Sequence, residues 1–135
     1  MSSDLVWLLT RNNNSFLVKR NGIQLSREPG NLLNLNSRKF SGLAAKKTVD
    51  VAAAPKGVTV TLRKTKAGNK PVATANATTY TKGTRASAKS VRNLLAHYRP
   101  DLEKAALARV ARLNESAKPA KVQKPKKVRG VRARV

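Results

Sequence analysis

The sequence predicts an α+β fold, in which a small antiparallel sheet of two hairpins is covered by helices and followed by a disordered basic C-terminal tail. An Asn-Gly pair at 21–22, set between two apolar runs, predicts the first hairpin. Apolar and polar residues alternate over 58–63, as in a half-buried strand of a second hairpin, and an apolar stripe of helical period covers 84–98. The 135 residues therefore divide into a body at 1–115 and a basic extension at 116–135.

The first segment of the chain, residues 4–9, is predicted to form a short helix. Ser2 or Ser3 would be its N-cap, and its leucines would face the interior. A buried strand is the alternative, because the five consecutive apolar residues of 5–9 do not settle the period.

The first hairpin pairs residues 15–20 with residues 23–27. Both residues of the Asn-Gly pair tolerate a positive φ, so a two-residue turn fits between the strands. This turn fixes the register, in which Val18 lies opposite Leu25 and Arg20 opposite Ile23. Lys19 and Gln24 would then point to one side, and the inward face would hold Phe16, Val18, Ile23 and Leu25.

The second hairpin pairs residues 48–51 with residues 58–63 through a turn at 53–57 that contains Pro and Gly. Its apolar positions recur at every second residue, so one face of the hairpin is predicted to lie inward. That inward face carries Val58, Val60 and Leu62. Because four strands with one apolar face cannot be stable alone, a helical cover is needed.

Two C-terminal helices are predicted to supply that cover. The helix over 84–98 is ended by Pro100, and Asp101 and Glu103 then begin the next helix, where negative charge suits the helix dipole. The inward stripes consist of Val91, Leu94, Leu95 and Tyr98 in one helix and of Leu102, Ala106, Val110 and Leu113 in the other. Residues 28–43 and 65–82 show no period and are predicted to be irregular.

The charge of the chain points to a polyanionic partner. It has 29 Lys and Arg residues against 6 Asp and Glu residues, a formal net charge of +23. A small soluble domain usually carries a net charge of about 2 to 8. Such an excess disfavours a compact state unless a polyanion neutralises it, so a partner dense in phosphate is expected.

Composition also argues against several classes of protein. The chain has no Cys and one His, so thiolate chemistry, disulfides and the usual zinc motifs are not expected. No carboxylate pair suggests acid–base catalysis, and no apolar run reaches the ~18 residues of a membrane helix. We therefore expect no catalytic residue, metal site, cofactor, small-molecule substrate or membrane contact. The N-terminus lacks the basic segment of a secretory signal, which favours a reducing compartment, the cytosol or the nucleus.

The candidate binding residues are basic side chains at hairpin, loop and tail positions, many of them in adjacent pairs. Few aromatic residues are available for stacking, so these side chains are expected to contact phosphate or sugar more than base edges. The candidates are Arg11, Lys19, Arg20, Arg38, Lys39, Lys46, Lys47, Arg63, Lys64, Lys66, Lys118, Lys121, Lys124, Lys126, Lys127, Arg129, Arg132 and Arg134.

Two functional hypotheses follow from these features. The first is a structural RNA-binding protein of a large ribonucleoprotein, with a small body and a basic tail against RNA. The second is a chromatin or DNA-compacting protein, which the Lys, Pro and Ala composition of the tail would suit. The first is favoured because no basic helix that could enter a major groove is evident.

An ordered series of segments resembles the family of protein twenty-eight of the eukaryotic large ribosomal subunit, over residues 4–114. The resemblance implies a cytosolic ribosomal protein that passes through the nucleus and nucleolus for assembly. It also implies an α+β body bound to large-subunit rRNA, with other large-subunit proteins as neighbours and no catalytic activity. A nucleolar large-subunit assembly factor shares the N-terminal domain of the family, but the absence of Cys and the basic C-terminus argue against it. The segments are Leu5-Val6-Trp7, Arg11-Asn12, 15–21, Glu28-Pro29-Gly30-Asn31-Leu32, Asn36-Ser37, Phe40-Ser41-Gly42-Leu43, 47–51, 57–64, Tyr98-Arg99-Pro100-Asp101-Leu102 and Ala105-Ala106.

Overall fold

Helices and two separate antiparallel sheets form the part of the chain that the structure describes, so the predicted α+β class is confirmed. The computed structural model describes residues 2–67, 74–120 and 122. Its helices are α1 (Ser3–Thr10), α2 (Thr84–Tyr98) and α3 (Glu103–Ser116), with short 3-10 turns at Thr65–Ala67 and Pro100–Leu102. Its strands are β1 (Leu17–Arg20), β2 (Ile23–Ser26), β3 (Val49–Ala53), β4 (Val58–Arg63) and β5 (Ala75–Tyr80).

Helix α1 forms where the sequence predicts it, so the alternative of a buried strand is wrong. Its N-cap is Ser2, whose Oγ accepts a hydrogen bond from the backbone N–H of Asp4 at 3.3 Å. The expectation that the leucines of this helix face inward is also wrong, because Leu5, Leu8 and Leu9 are exposed. No buried residue lies in α1, which is attached to the molecule by polar contacts.

Strands β1 and β2 pair in the predicted register, with Val18 opposite Leu25 and Arg20 opposite Ile23. The turn has the predicted positive φ angles, 47° at Asn21 and 77° at Gly22. However, this hairpin forms a sheet of its own instead of joining the second hairpin, and nothing in the described chain covers its apolar face. Three residues predicted to face inward are therefore exposed: Phe16, Ile23 and Leu25.

The core lies between the β3–β4–β5 sheet and the two C-terminal helices. The predicted second hairpin is present, with Val51 opposite Val60 and Ala53 opposite Val58. Val58 and Val60 are buried and Leu62 packs at the edge of the core, as predicted. The predicted helix stripes are confirmed as well, because the buried apolar residues of α2, of the following 3-10 turn and of α3 are Val91, Leu95, Leu102, Ala106 and Val110.

Strand β5 lies within residues 65–82, which the sequence analysis predicted to be irregular. For residues 75–80 that prediction is wrong, because they pair with β4 along the whole strand, from Ala75 opposite Arg63 to Tyr80 opposite Val58. Most side chains of β5 are exposed. Strand β5 is therefore held in place mainly by backbone hydrogen bonds to β4, and burial of its own side chains contributes little.

Residues 28–43 contain no helix or strand beyond one bridge, between Leu25 and Leu35, as the sequence predicts. A buried polar cluster holds this segment in place. Asn31 Nδ2 donates to Glu28 Oε1 at 3.1 Å, and Ser41 Oγ donates to Glu28 Oε2 at 3.2 Å. Because the carboxylate accepts from both ends of the loop, a long irregular segment has one fixed path.

Candidate nucleic-acid interface

A groove beside the end of α2 brings together four of the predicted phosphate-binding residues. Its lining includes Lys47, Arg63, Lys64 and Lys66, together with Tyr98, and its volume is about 430 Å³. Lys47 lies just before β3, whereas the other three basic residues lie at the end of β4 and in the turn that follows. The pairing of β3 with β4 therefore places basic residues from distant parts of the sequence beside one another.

Tyr98 ties the groove to the core. Its hydroxyl donates to the carbonyl oxygen of Arg63 at 2.6 Å and lies 3.4 Å from that of Thr48. Burial raises the pKa of this phenol above its usual value, although neighbouring arginine charge acts in the opposite direction. Lys47 Nζ lies 5.4 Å from the ring centroid, within the range of a cation–π contact. The tyrosine thus fixes the ends of both strands and positions one of the lysines.

Arg99 holds the loops that carry two further candidates, Lys39 and Lys47. Its Nη2 donates to the carbonyl of Lys39 at 3.2 Å, and its Nη1 donates to the carbonyl of Lys47 at 2.9 Å. The same guanidinium binds Asp101 through two hydrogen bonds of 2.9 and 2.6 Å. The hydrogen bond from Arg99 lowers the pKa of the Asp101 carboxyl, and that of the Arg99 guanidinium is raised in return. One arginine therefore brings Lys39 to the neighbourhood of the groove.

The groove lysines, Lys47, Lys64 and Lys66, form no ion pair with a carboxylate among the described residues. Four carboxylates form ion pairs, and each of them pairs with an arginine: Asp4 with Arg38, Glu103 with Arg92, Asp101 with Arg99, and Glu115 with Arg112. The other two are engaged by uncharged groups, Glu28 in the buried loop cluster and Asp50 by the backbone N–H of Val51. The positive potential of the groove is thus not compensated within the described chain, which favours the binding of an anion.

Three other candidates lie around the first hairpin, and no described contact joins them to the groove. Lys19 and Arg20 line a shallow depression of about 230 Å³ at the hairpin turn. Lys19 Nζ reaches the carbonyl of Asn12 at 3.5 Å, just after α1. The carbonyl of Arg11 accepts a hydrogen bond from Asn36 Nδ2 at 2.9 Å, and the side chain of Arg11 is exposed. The structure therefore places four of the predicted residues of the body at the groove and three around the first hairpin.

The remaining candidates differ in how far the structure describes them. Arg38 donates to Asp4 Oδ1, at 3.0 Å from Nε, and to Ser3 Oγ, so part of its hydrogen-bonding capacity is used within the protein. Lys46 and Lys118 are exposed. The tail candidates that lie outside the described residues are Lys121, Lys124, Lys126, Lys127, Arg129, Arg132 and Arg134.

Sequence reasoning missed a second basic stripe, on the first half of α2. Arg85 and Lys89 are four residues apart on this helix and exposed, and the exposed Lys82 precedes it. Residues four apart on a helix lie on the same side, so this spacing could have revealed the stripe. Most of the candidates lie in adjacent basic pairs, and this helix contains no such pair. Arg99 has no local signal either, because its carbonyl partners are 52 and 60 residues away in sequence.

The described chain shows neither a metal-binding cluster nor a membrane-spanning helix. No group of three or more His, Asp or Glu side chains is placed to hold a metal ion among the residues described. No helix in the described ranges has both the length and the apolar character needed to span a bilayer.

A match to one known protein family covers nearly all of the described helices and strands. The sequence model of the Ribosomal L28e protein family matches residues 5–116, from the first turn of α1 to the end of α3. The chain belongs to the ribosomal L28e family. The resemblance noted from the sequence is thereby confirmed, and the groove and Arg99 both lie within the matched region.

Relatives in this family span nearly the full length of the chain. A protein of Dictyostelium discoideum named large ribosomal subunit protein eL28 is 44% identical over 131 residues, which cover 94% of this chain and 99% of the relative. The protein of the same name from Schizosaccharomyces pombe is 38% identical over 134 residues, covering 90% and 96%. That from Trypanosoma cruzi is 35% identical over 131 residues, covering 97% and 85%. The expectation that the chain is not an enzyme agrees with these names, which are those of ribosomal proteins.

Proposed function

We propose that this chain is a structural constituent of the large subunit of the eukaryotic cytosolic ribosome. In that role it binds rRNA mainly through phosphate contacts and supports translation. Membership of the ribosomal L28e family and the names of the relatives support the assignment to the large subunit. Large-subunit rRNA and neighbouring ribosomal proteins are then its partners, and the chain passes through the nucleus and nucleolus before it reaches cytosolic ribosomes.

The main support for a contact with rRNA is the basic groove, whose positive charges are not neutralised by ion pairs among the described residues. It is lined by Lys47, Arg63, Lys64 and Lys66. Lysine and arginine side chains at the ends of strands are held in place by the sheet, while their charges remain accessible. Aromatic stacking does not explain the groove, because the hydroxyl of Tyr98, its aromatic residue, donates to main-chain carbonyls and fixes the ring to the core side. Backbone phosphate, which carries a full charge at every nucleotide, matches a cluster of this kind.

The salt dependence of binding tests the contact mode. The logarithm of the affinity for a purified rRNA fragment should fall with the logarithm of the salt concentration, with a slope of about −0.7 to −0.9 per phosphate neutralised. Replacing Lys64 and Lys66 by Gln should flatten that slope by about 1.4 to 1.8, because two phosphate contacts are lost. The matched control replaces Lys56 and Lys104, which are exposed and lie outside the groove, and should leave the slope within error.

The assignment to the ribosome is tested separately, by sedimentation. In a cell extract the chain should be found in large-subunit and polysome fractions. If it is absent from these fractions and co-sediments with chromatin, the proposal is wrong. If both double variants flatten the salt slope equally, the groove is not the phosphate site, whatever the sedimentation shows.

A further inference from the structure

The first hairpin has one apolar face that nothing in the described chain covers. The register places Val18 opposite Leu25 and Arg20 opposite Ile23, so these four side chains share a face. Arg27 N donates to the carbonyl of Phe16 at 2.9 Å, which extends the ladder by one more pair on the same face.

Leu35 widens this face beyond the two strands. It forms an antiparallel bridge with Leu25, flanked by the hydrogen bonds Ser26 N to Asn34 O at 2.8 Å and Asn36 N to Gln24 O at 3.4 Å. Flanking bonds of this kind define a non-hydrogen-bonded pair, in which the two side chains are closest. The hairpin apolar face therefore consists of Phe16, Val18, Ile23, Leu25 and Leu35.

These side chains are exposed to an extent that is unusual for contiguous large apolar residues. The exposed fractions are 38% for Phe16, 60% for Ile23, 39% for Leu25 and 40% for Leu35. Single exposed apolar residues need no explanation, but a contiguous group on a soluble protein marks an interaction surface. An isolated two-stranded hairpin is also marginally stable, so burial of this face would stabilise it.

The opposite face of the hairpin is already used within the protein. Gln24 Oε1 accepts from Asn36 Nδ2 at 3.0 Å, and Lys19 reaches the loop after α1. Ser26 is buried, and its Oγ accepts from the backbone N–H of Glu28 at 3.3 Å. The hairpin therefore has a polar side fixed against the molecule and an apolar side that is open.

Both ends of the open side carry positive charge. Arg20 lies on this face at the turn, and Arg27 lies on it at the other end, opposite Phe16. Neither arginine forms an ion pair among the described residues, and no Asp or Glu lies on this face. A complementary surface would be apolar in its centre and would carry carboxylates at two places on its border.

We infer that the hairpin apolar face docks a second protein, through an apolar surface bordered by Asp or Glu side chains. This inference rests on the proposed function and deepens it, because such a protein would be a neighbour in the large subunit. The chain then has two surfaces of different chemistry, a basic groove for phosphate and an apolar hairpin face for protein.

The other possible occupants fit the face less well. RNA would bring phosphates against four aliphatic side chains that offer no hydrogen bond, and Phe16, the one aromatic ring of the face, has only 38% of its surface exposed for stacking. In a symmetric contact, a second copy of the chain would bring the same two arginines against each other. The chain's own residues 116–135 contain no acid, so they would leave Arg20 and Arg27 without a partner.

Site-specific photo-crosslinking tests the inference within the assembled particle. The full-length chain is produced in cells with a photo-reactive amino acid in place of Ile23 and, in a parallel sample, in place of Lys66. After irradiation, large subunits are purified by sedimentation, and the crosslinked species are identified by nuclease digestion and by mass spectrometry of the peptides. We expect position 23 to crosslink to another protein, at a peptide that combines apolar residues with Asp or Glu, and position 66 to crosslink to RNA.

Each other outcome counts against a defined statement. A crosslink from position 23 to RNA, to lipid, to a second copy, or to residues 116–135 overturns the inference, and so does the absence of any crosslink. If position 66 crosslinks to RNA in these cases, the proposed function stands. If the chain is absent from purified large subunits, the proposed function fails and the inference fails with it.

A salt wash gives a second, independent readout. At about 0.5 M salt the Debye length is only roughly 4 Å, so phosphate contacts weaken while apolar contacts persist. Replacing both Ile23 and Leu25 by Ser should reduce retention on large subunits at this salt by about tenfold or more, as expected for the loss of an anchor at an interface. The control replaces Leu8 and Leu9 of α1, which are also exposed. Equal retention of the two double variants would overturn the inference.

Discussion

Arg99 and Arg109 both donate to main-chain carbonyls of segments far away in sequence. Arg109 Nε donates to Val51 O at 2.9 Å, and its Nη1 donates to Leu32 O at 2.8 Å and Asn31 O at 3.1 Å. The sequence places Arg109 off the apolar stripe of its helix but gives no sign of these partners. A guanidinium has five donors in a fixed plane and remains charged, so it can satisfy several carbonyls where a strand edge meets a loop.

Replacing Arg109 by Met should therefore destabilise the fold. Three carbonyls of buried residues would lose a charged donor, and each such group costs about 1–3 kcal/mol when left unpaired, with part of the loss recovered by water. We expect the free energy of unfolding in urea to fall by about 2–4 kcal/mol. Replacing Arg112, whose partner Glu115 is exposed, should change it by less than about 0.5 kcal/mol. An equal small effect of both substitutions would contradict this assignment.

The pair of Arg99 and Asp101 should make stability depend on pH in the acid range. The folded protein lowers the pKa of Asp101 from its ordinary value of 3.8, chiefly through the hydrogen bond from Arg99. The unfolded chain therefore binds this proton first, so the stabilisation is present above that ordinary value and is lost as the pH falls through the lower folded pKa. Asp101→Asn should show a smaller drop in its urea midpoint between about pH 5 and pH 2 than the wild type. Identical drops in both proteins would exclude this role for Asp101.

Residues with positive φ angles determine where each of the two hairpins reverses direction. Gly22 and Gly57 have nearly the same backbone conformation, with φ angles of 77° and 86°. Their surroundings differ. A Cβ on Gly22 would meet nothing within 4 Å, whereas a Cβ on Gly57 would collide with the carbonyl oxygen of Tyr80 at the end of β5.

These two glycines form a matched pair of mutants. Gly22→Ala should reduce the free energy of unfolding by about 1–2 kcal/mol, the cost of a left-handed conformation for a residue with a Cβ. Gly57→Ala carries the same backbone cost and must also push β5 away from the turn, so we expect a loss larger by about 2 kcal/mol or more. Thermal or urea unfolding measures both. Equal losses would mean that β5 does not pack against this turn.

The elements that the sequence predicts best are those with a local signal. The Asn-Gly turn determines the register of the first hairpin, and the alternation over β4 shows which of its residues face the core. Pro100 marks the end of α2. Strand β5 has no such signal, since Ala75–Tyr80 contains few apolar residues and is defined by its pairing with β4. Alternation also shows which hairpin residues share a face but not what lies opposite that face, which is why the exposure of Phe16 and Ile23 could not be predicted.

At the scale of the whole molecule, the residue types of the candidate site could be predicted from the sequence, but their positions relative to one another could not. Basic residues could be selected from the sequence by charge, and Lys47, Arg63, Lys64 and Lys66 do come together. Their convergence depends on the β3–β4 register and on Arg99, which act over long sequence separations. Charge alone could not separate them from Arg38, whose guanidinium pairs with Asp4, 34 residues earlier in the sequence.

The C-terminal extension adds positive charge to a body that is already basic. Residues 116–135 hold eight basic residues and no acid, whereas α3 ends at Ser116. Deleting residues 119–135 should weaken the affinity for naked rRNA in a purified system, because up to seven counterion-releasing contacts are removed. The midpoint of unfolding should not fall, since the core residues all precede the deletion.

The alternative role for the tail is nuclear import, because residues 124–129 form a short basic cluster of the kind found in import signals. Import plays no part in a binding assay with purified components, so an unchanged rRNA affinity would leave the tail with an import role only. A chain of full length in which the basic residues after Ala120 are replaced by Gln should behave like the deletion if charge is the cause.

The separation of the β1–β2 hairpin from the core also determines how the backbone exchanges hydrogen with water. The amides of β4, the central strand, are paired with β3 or β5 over a buried layer, so they exchange only when the whole domain opens. Those of β1 and β2 belong to a sheet of two strands with an open side, and a small local opening is enough to release them. In the free protein, the amides of the core strand β4 should therefore exchange slowly and those of the hairpin rapidly. Docking of the hairpin should slow the exchange of its own amides alone, so the ratio of the two exchange rates measures the fraction of hairpin that is bound.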